Sequence, residues 1–455
     1  MSNDEDDLEN TISRRNFLQR AGTTALVAGS SAPVIGGGLG VSETLAGSLR
    51  PVDTGKKLSL RAADSGTGDA DVRRFLEPKI YTRDEIRNLL DEKLAIHARY
   101  DGELGWTLKD GRFADGIDGS VSTYRYDANG ARIMINGRDG PCRINTYGDS
   151  FTQCGQVSDG ETWQEFLAAH LGECIRNFGV GSYSVYQAYL RMLREEAKSP
   201  AECIIFTIYD DDHYRNLCAW QGIRNDKVRH SIYGPVIWMT SPSIQVDLTT
   251  GACHERRNPC PTRDDLYKLT DLDWVYETFK DEFDTEIMMT HLSVKEKNPN
   301  RNYDRIIAMA KTHGVKTDPQ LLATLSTAAN ELHTKAALRA STYVIGKVEE
   351  FVQRTGKKIL YVLCPSSRAI PELVQKGKRM DQEFLDFLTS RRLAYVDLLE
   401  EHRHNFAGFS LCVEDYVARY FIPHHTPLGN YFFAHAIKAK LLALLDPKPP
   451  AYRKA

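Results

Sequence analysis

The sequence has little net charge and no long apolar run in its main part, and both absences restrict its function. Its 58 Lys and Arg residues nearly balance 61 Asp and Glu residues, which leaves a formal net charge of −3. Neither a basic surface for nucleic acid nor a strongly acidic tail is indicated. No segment after Val41 is long and apolar enough to cross a bilayer. We therefore expect no nucleic-acid partner and no stable membrane span.

Several catalytic motifs are also missing from the sequence. It contains no Gly-x-x-x-x-Gly-Lys-Ser/Thr loop for nucleotide phosphates and no His-Glu-x-x-His zinc motif. It lacks the Gly-x-Ser-x-Gly turn that is typical of the α/β-hydrolase fold. His254 lies beside Cys253, but the four-ligand spacing of a zinc site is absent there. We expect no metal and no cofactor.

The N-terminus carries a pattern that is typical of protein export. Arg14 and Arg15 precede an uncharged stretch, Ala21 to Val41, that is rich in Gly, Ala and Ser. A twin arginine before such a segment indicates a Tat export signal. A disordered tail with a chance arginine pair is the alternative. We predict a signal peptide over residues 1–47, the Tat translocase as a partner during export, and a periplasmic or extracellular mature protein.

The remainder of the chain divides by composition and pattern. Residues 48–80 are polar and are predicted to form a linker. Thr82 and Glu85 form a capping-box pattern that opens a helix running to about His97. The predicted parts are an N-terminal extension (81–140), a main domain (141–446) with an insertion at about 217–325, and a tail (447–455). Of the nine cysteines, Cys253 and Cys260 flank a short polar loop and are the best candidates for a disulfide.

Apolar runs alternate with helical patterns through the main domain. The predicted strands are 142–147, 174–178, 203–209, 358–364 and 394–398. Helices are predicted at 160–171, 184–197, 327–354 and 428–445, and a hairpin at 236–246 within the insertion. Strands that alternate with helices indicate a doubly wound parallel sheet. We therefore predict an α/β fold, namely a flavodoxin-like three-layer α/β/α sandwich.

Polar residues lie where the predicted strands end, and this is where sites occur in such sheets. Ser150 follows Gly148 at a predicted strand-to-helix turn, and Gly181, Asp210 and Asp211 follow later strands. A serine hydroxyl is a poor nucleophile near neutral pH. It needs a base to take its proton and hydrogen-bond donors to stabilise the oxyanion that its attack creates.

Three sequence blocks together resemble those of the SGNH/GDSL hydrolase superfamily. The blocks are Tyr147-Gly148-Asp149-Ser150-Phe151-Thr152, Asn177-Phe178-Gly179-Val180-Gly181 and His424-His425-Thr426-Pro427-Leu428-Gly429-Asn430. Gln187 fits the helix that follows the second block. The resemblance covers about residues 100–220 and 330–445 and leaves the insertion unexplained. It implies the SGNH hydrolase fold and a serine-dependent hydrolase that acts on ester bonds.

The resemblance also implies a role for particular residues. Ser150 would be the nucleophile, and its backbone N–H would be one oxyanion donor. The backbone N–H of Gly181 would be a second donor. The base would be His424, which lies three residues before the proline of the last helix, and His425 is the alternative. The third donor in the family is an asparagine amide, which here aligns with Asp211.

The chain departs from the family pattern in two respects. An ionised Asp211 would only accept hydrogen bonds and would repel an oxyanion. Since three acids are adjacent in sequence, we expect mutual repulsion to keep Asp211 partly protonated, although Arg215 opposes this. The family also has an aspartate two or three residues before its histidine, where this chain has Phe421 and Ile422. Asp415 is the candidate triad acid from farther back, with Glu414 beside it.

Three functions remain open from the sequence. An exported esterase or deacylase would act on a small-molecule or polysaccharide ester, such as an acylated carbohydrate. An O-acyltransferase on a polysaccharide would use the same acyl-enzyme chemistry and pass the acyl group to an alcohol. A catalytically weak SGNH-like carbohydrate-binding protein would explain the unusual residues at positions 210, 211, 421 and 422.

Overall fold

The computed structural model describes residues 65–91, 97–136, 142–227, 238–298, 301–318 and 321–453. The predicted export signal, with Arg14 and Arg15, lies outside these residues. Within them, no helix is long and apolar enough to cross a membrane.

The described residues form a central sheet and several short hairpins. The strands are β1 Ala98–Asp101, β2 Gly105–Leu108, β3 Gly111–Phe113, β4 Ser122–Tyr124, β5 Ile144–Tyr147, β6 Ile175–Asn177, β7 Cys203–Tyr209, β8 Ser243–Asp247, β9 Ala252–Arg256, β10 Lys358–Cys364 and β11 Tyr395–Asp397. The pairs β1–β2, β3–β4 and β8–β9 are antiparallel. The five-stranded sheet has the order β11-β10-β7-β5-β6 and is parallel throughout.

Helices connect the strands and cover the sheet. They are α1 Ser65–Leu76, α2 Arg83–Leu90, α3 Ser150–Gln153, α4 Trp163–Leu171, α5 Val185–Glu196, α6 Asp212–Arg215, α7 Leu272–Phe279, α8 Phe283–Lys295, α9 Asp304–Thr312, α10 Leu322–Thr355, α11 Ala369–Lys376, α12 Gln382–Ser390, α13 Leu398–Phe406, α14 Val413–Tyr420 and α15 Pro427–Leu444. Short 3₁₀ turns lie at Glu77–Lys79, Ile117–Gly119, Asp159–Glu161, Asp264–Thr270 and Pro450–Tyr452.

Strand β7 shows why the sheet is buried on both faces. All seven of its residues are buried. Ile205 contributes to one hydrophobic core, while its neighbours Ile204 and Phe206 contribute to the other. Successive side chains of a strand point to opposite faces, so a continuous apolar run needs a helical layer on each side. Helices α4, α13, α14 and α15 supply one layer, and α5, α10 and α12 supply the other.

This arrangement confirms the predicted three-layer α/β/α sandwich. In chain order the five parallel strands have the arrangement 2-1-3-4-5, which is the flavodoxin-like order. The chain turns from one half of the sheet to the other between β5 and β7. Ligands bind beyond the carboxyl ends of the strands at such a reversal point. Ser150 follows β5 directly and therefore lies there.

The N-terminal part differs from the prediction in one respect. Helix α1 lies within residues 48–80, which the sequence predicts as a linker. Val72, Phe75 and Leu76 are spaced for one helix face and join a core that also contains residues of the insertion. Three apolar residues in a polar stretch are a weak sequence signal, because only the partner surface makes their burial favourable. The capping box of Thr82 and Glu85 is present, but α2 ends at Leu90 rather than near His97.

The insertion also differs in detail from the prediction. Its hairpin is formed by β8 and β9, farther along the chain than the predicted 236–246, whose first two residues lie outside the described ranges. Apolar residues of the insertion, including Leu266, Val275 and Phe279, pack with Tyr81 and Trp106 of the N-terminal extension. The extension and the insertion thus share one core beside the main sheet.

The predicted disulfide between Cys253 and Cys260 is wrong. Both residues are free thiols, Cys253 half-buried in β9 and Cys260 fully buried. A disulfide instead joins Cys142 to Cys174, just before the adjacent strands β5 and β6. Proximity of these two residues follows from strand pairing. The spacing of cysteines along the chain does not reveal that pairing.

Candidate active site

Ser150 is placed by a tight strand-to-helix turn. It is the first residue of α3, and the Asp149 carboxylate caps this helix by accepting a hydrogen bond from the Phe151 N–H at 2.9 Å. Gly148 allows the turn because a Cβ there would meet the Thr207 carbonyl oxygen at 2.9 Å and the Thr152 hydroxyl at 2.2 Å. The turn leaves Ser150 only 3% exposed.

The second sequence block packs directly against this helix. A Cβ on Gly179 would lie 2.2 Å from the Gln153 nitrogen, so glycine is required for the close approach of the two segments. Two residues later, a Cβ built on Gly181 would lie 3.7 Å from the Ser150 Cβ. The structure therefore brings Gly181 beside the nucleophile. Its N–H donates a hydrogen bond to the Gln153 Oε1 at 2.9 Å.

His424 reaches Ser150 from the turn before the last helix. The turn is closed by a hydrogen bond from the Ile422 N–H to the His424 carbonyl at 2.8 Å. Thr426 then caps α15, and Pro427 occupies its first turn, where no intrahelical N–H is needed. The His424 Nε2 lies 2.9 Å from the Ser150 Oγ. The two residues are 274 positions apart in the sequence.

Gln156 contacts the other ring nitrogen of His424. Its Oε1 lies 3.0 Å from the Nδ1 and also accepts a hydrogen bond from the His424 backbone N–H at 2.8 Å. Its Nε2 donates to the Asp115 carbonyl at 2.8 Å. A backbone donor on one side and a backbone acceptor on the other fix the orientation of this amide. The oxygen therefore faces the Nδ1, which must carry the proton.

This tautomer is the one that a general base requires. With the proton on the Nδ1, the Nε2 has a lone pair that can accept the hydroxyl hydrogen of Ser150. In a Ser-His-Asp triad the orienting acceptor is a carboxylate. Here it is the neutral amide of Gln156, which orients the ring but adds no negative charge to stabilise an imidazolium.

The expectation that Asp415 is the triad acid is therefore wrong. Asp415 is exposed in the first turn of α14, where its backbone N–H donates to the Cys412 Sγ. Glu414 beside it is also exposed and accepts a hydrogen bond from Gln375. Phe421 and Ile422 stand where the resemblance implies an aspartate, and Gln156 supplies the acceptor instead.

The alternative base, His425, lies in a different environment. Its ring is buried and packs edge-on against Phe151 and near Phe421. Burial, followed by the nearby charges that His402 and His424 could carry, holds the pKa of His425 well below its usual range. The Nε2 of His424, and not of His425, is the nitrogen within hydrogen-bond distance of the Ser150 Oγ.

The side chain of Asp211 acts as a hydrogen-bond acceptor rather than as a donor. Its carboxylate accepts hydrogen bonds from the Arg215 Nε at 2.9 Å and from the Arg224 Nη2 at 2.6 Å. Burial favours the neutral acid, but the attraction of Arg224 and Arg215 outweighs it, so the pKa of Asp211 lies below its usual value. The expectation of a partly protonated Asp211 is wrong, because two arginines neutralise its charge.

Repulsion among the adjacent acids acts on the neighbours of Asp211. Burial and then the charge of Asp381 raise the pKa of Asp210 to about 7. Burial and then the charge of Asp149 raise the pKa of Asp212 well above its usual range. Asp149 and Asp212 both contact the Nη1 of Arg215, at 3.5 and 2.8 Å. This buried network lies behind the nucleophile, and its acids outnumber its nearby cations.

The N-terminal extension supports the site directly. The Arg132 guanidinium is 1% exposed and donates to the carbonyls of Gln153, Cys154 and Val157, which follow the nucleophile in sequence. The Tyr124 hydroxyl accepts a hydrogen bond from the Gln156 N–H at 2.5 Å. The extension therefore holds the segment that carries Gln153 and Gln156 in place.

Sequence reasoning missed Gln153, Gln156 and Arg132. Each acts through contacts with residues that are distant in the chain, and none belongs to a motif. The one available signal was position, because both glutamines follow Ser150 within two helical turns. The structure, by contrast, brings together Ser150, His424 and Gly181 as the resemblance implies.

Comparisons with known proteins give low similarities. No protein-family model matches the chain, and no curated protein matches it. Among solved structures, the chain is similar to a lipolytic protein of the G-D-S-L family from Desulfitobacterium hafniense DCB-2, with 10% identity and a TM-score of 0.29. It is also similar to the acetyl xylan esterase AlAXEase, with 13% identity and a TM-score of 0.30. Each similarity covers 65% of this chain and 98% of the other.

Among the described residues, no group of three or more His, Cys, Asp or Glu side chains is arranged to hold a metal ion. Besides the Asp149 carboxylate, whose Oδ2 accepts a hydrogen bond from the Ser150 Oγ at 3.3 Å, the groups near Ser150 include the His424 imidazole, the Gly181 N–H and the Gln153 amide. Such groups are suited to proton transfer and to the stabilisation of a developing oxyanion.

A substitution at Gln156 tests the orientation of the base. We expect Gln156→Ala to lower kcat of ester hydrolysis by about 10²-fold, because a freed imidazole leaves its productive position. Gln156→Glu should recover most of the loss, since a carboxylate oxygen can accept from the Nδ1 and the backbone N–H. Steady-state kinetics on an aryl ester would measure both variants. Unchanged kcat in Gln156→Ala would contradict this role for the residue.

Proposed function

We propose that the protein is a serine hydrolase that cleaves ester bonds through an acyl-enzyme. The observation that carries the proposal is the contact between Ser150 and His424. The Oγ lies 2.9 Å from an Nε2 whose lone pair is directed to it by Gln156. A nucleophile, a base and an orienting group in series are the components of nucleophilic catalysis.

In the first half-reaction the Ser150 Oγ bonds to the carbonyl carbon of the ester. The π pair of the C=O bond moves to its oxygen, and the hydroxyl proton passes to the His424 Nε2. The oxyanion then re-forms the double bond while the bond to the alcohol oxygen breaks. His424 returns its proton to that oxygen, and the alcohol leaves.

Water completes the cycle by the same steps. His424 removes a proton from water as the water oxygen attacks the acyl-serine carbon. The collapse of the second oxyanion then breaks the bond to the Ser150 Oγ, His424 returns the proton to that oxygen, and the carboxylic acid leaves. An alcohol in place of water would give acyl transfer instead. We propose hydrolysis as the principal activity, and product analysis with added glycerol or sugar acceptors would reveal transfer.

A panel of p-nitrophenyl esters of increasing acyl length tests the activity. We expect release of nitrophenol by the purified protein and labelling by a fluorophosphonate probe. Acetylated oligosaccharides and polysaccharides would then test the narrower proposal that the substrate is an acylated carbohydrate. If neither esters nor the probe react with the folded protein, the proposed activity is wrong and a binding function becomes the better explanation.

We propose that the protein acts outside the cytoplasm after export through the Tat translocase. Replacing Arg14 and Arg15 together by Lys should retain most of the protein in the cytoplasm, because the pair is the feature of the signal that the translocase recognises. Fractionation and immunoblotting would measure the distribution. Arg20→Lys, a neighbouring arginine outside the pair, is the matched control. Equal delivery of the double variant and the control would contradict the proposal.

A further inference from the structure

The resemblance implies three hydrogen-bond donors for the oxyanion, and the third of them, at Asp211, is missing. The Asp211 carboxylate is held by two arginines and has no N–H to donate. A buried amide, that of Gln153, however, contacts Gly181 beside the nucleophile. Gln153 is 4% exposed, and its Oε1 accepts the hydrogen bond of the Gly181 N–H. Loss of one oxyanion donor costs about 10²–10³-fold in rate, so a replacement donor would matter.

The Gln153 oxygen marks the place where an acceptor oxygen binds beside Ser150. A Cβ built on Gly181 would lie 2.9 Å from the Gln153 Oε1 and 3.7 Å from the Ser150 Cβ. Gln153 and Ser150 therefore both lie close to Gly181. A carbonyl carbon bonded to the Ser150 Oγ would carry its oxygen into this region, where it would compete with the Oε1 for the Gly181 N–H.

The far side of the Gln153 amide differs from that of Gln156. Its Nε2 contacts the His97 Nε2 at 2.8 Å and the Tyr126 hydroxyl at 3.2 Å. A phenol can donate or accept, and a neutral imidazole can do either according to its tautomer. Burial holds the pKa of His97 near 3, which keeps that ring neutral. Both partners can thus bind either end of the amide, whereas the backbone partners of Gln156 fix its orientation.

We propose that Gln153 is a catalytic residue that turns its amide to donate the Nε2 hydrogen to the oxyanion. In the free protein its Oε1 occupies the Gly181 N–H. When the tetrahedral oxyanion forms, that oxygen takes over the N–H. The Gln153 amide withdraws and reverses, its Nε2 donates to the oxyanion, and its Oε1 accepts from Tyr126 or His97. This inference rests on the proposed ester hydrolysis and supplies the donor that Asp211 does not.

Two substitutions of Gln153 distinguish a hydrogen-bond donor from a side chain that only blocks the site. Gln153→Met keeps the length of the side chain but removes the amide, and we expect kcat to fall by about 10–10²-fold with KM little changed. Gln153→Glu keeps an acceptor for the Gly181 N–H but places a carboxylate beside the oxyanion, and we expect a loss of more than about 10²-fold. Tyr126→Phe should lower kcat only about a few-fold, because His97 can still donate a hydrogen bond to the reversed Gln153 amide. Gln375→Ala, an exposed glutamine, is the control.

The measurements are steady-state kinetics on an aryl ester and the rate of inactivation by a fluorophosphonate, with thermal melts to confirm folding. A higher kcat/KM in Gln153→Met would show that the residue only blocks the site and would overturn the proposal. Equal rates in wild type and both Gln153 variants would also overturn it while leaving ester hydrolysis intact. A wild-type protein that neither hydrolyses esters nor reacts with the probe would overturn both proposals. Parallel losses in the two assays would support the donor role.

Discussion

Ser150→Ala should lower kcat for ester hydrolysis by about 10⁴–10⁶-fold, the largest effect we expect from any single substitution. The hydroxyl forms the covalent bond to the acyl group, and no other residue of the site can replace it in that step. The remaining rate would come from donors that still bind the substrate carbonyl. Fluorophosphonate labelling should disappear together with the activity.

The fold should survive this change. Ser150 contributes a small side chain at the start of α3, while the Asp149 carboxylate that caps the helix binds the Phe151 N–H and is retained. Thermal melting should therefore remain close to that of the wild type. Ser390→Ala removes an exposed serine hydroxyl of α12 and serves as the control. If the Ser150 variant kept its labelling, the nucleophile would lie elsewhere in the chain.

The central sheet was predictable because its signals are local. Strand β7 is a continuous apolar run, and β10 has the same character, so their existence and bounds follow from the residues themselves. The placement of Ser150 and Gly181 beyond strand ends follows from the same pattern. The predicted His424 lies opposite Ser150 because parallel strands and the last helix converge at one edge of the sheet.

The remaining parts of the site depend on contacts that the sequence does not display. Gln156 meets His424 across 268 positions, and Gln153 meets His97 across 56. A glutamine has no fixed role in any motif, so its function appears only when its partners are known. Asp211 shows the opposite error, because the family resemblance implies a donor role for a side chain that instead accepts hydrogen bonds from two arginines.

The N-terminal extension makes most of the contacts that could not be predicted from the sequence. His97, Tyr124, Tyr126 and Arg132 all contact the segment that follows Ser150. Since a short loop needs partners for its backbone groups when it is buried, the extension stabilises the segment that carries both glutamines. The candidate active site therefore depends on both the N-terminal extension and the main domain, which the sequence analysis predicts as separate parts.

His424→Ala should lower kcat by about 10⁴-fold, because the Ser150 hydroxyl would lose the group that takes its proton and returns it to the leaving alcohol. The rate of fluorophosphonate labelling should fall as well, since it also requires an activated hydroxyl. His404→Ala, an exposed histidine of α13, is the control for a general effect of removing an imidazole.

A comparison with His425→Ala distinguishes the two adjacent histidines. The His425 ring packs against Phe151 and Phe421 rather than contacting the Ser150 Oγ. His425→Ala should therefore lower the melting temperature clearly while leaving most of kcat. His424→Ala removes the ring that contacts the Ser150 Oγ, so we expect a large loss of kcat with a small change in melting temperature. If His425→Ala abolished turnover in a stable protein while His424→Ala retained it, the base would be His425. The orientation that Gln156 imposes on His424 would then have no part in catalysis.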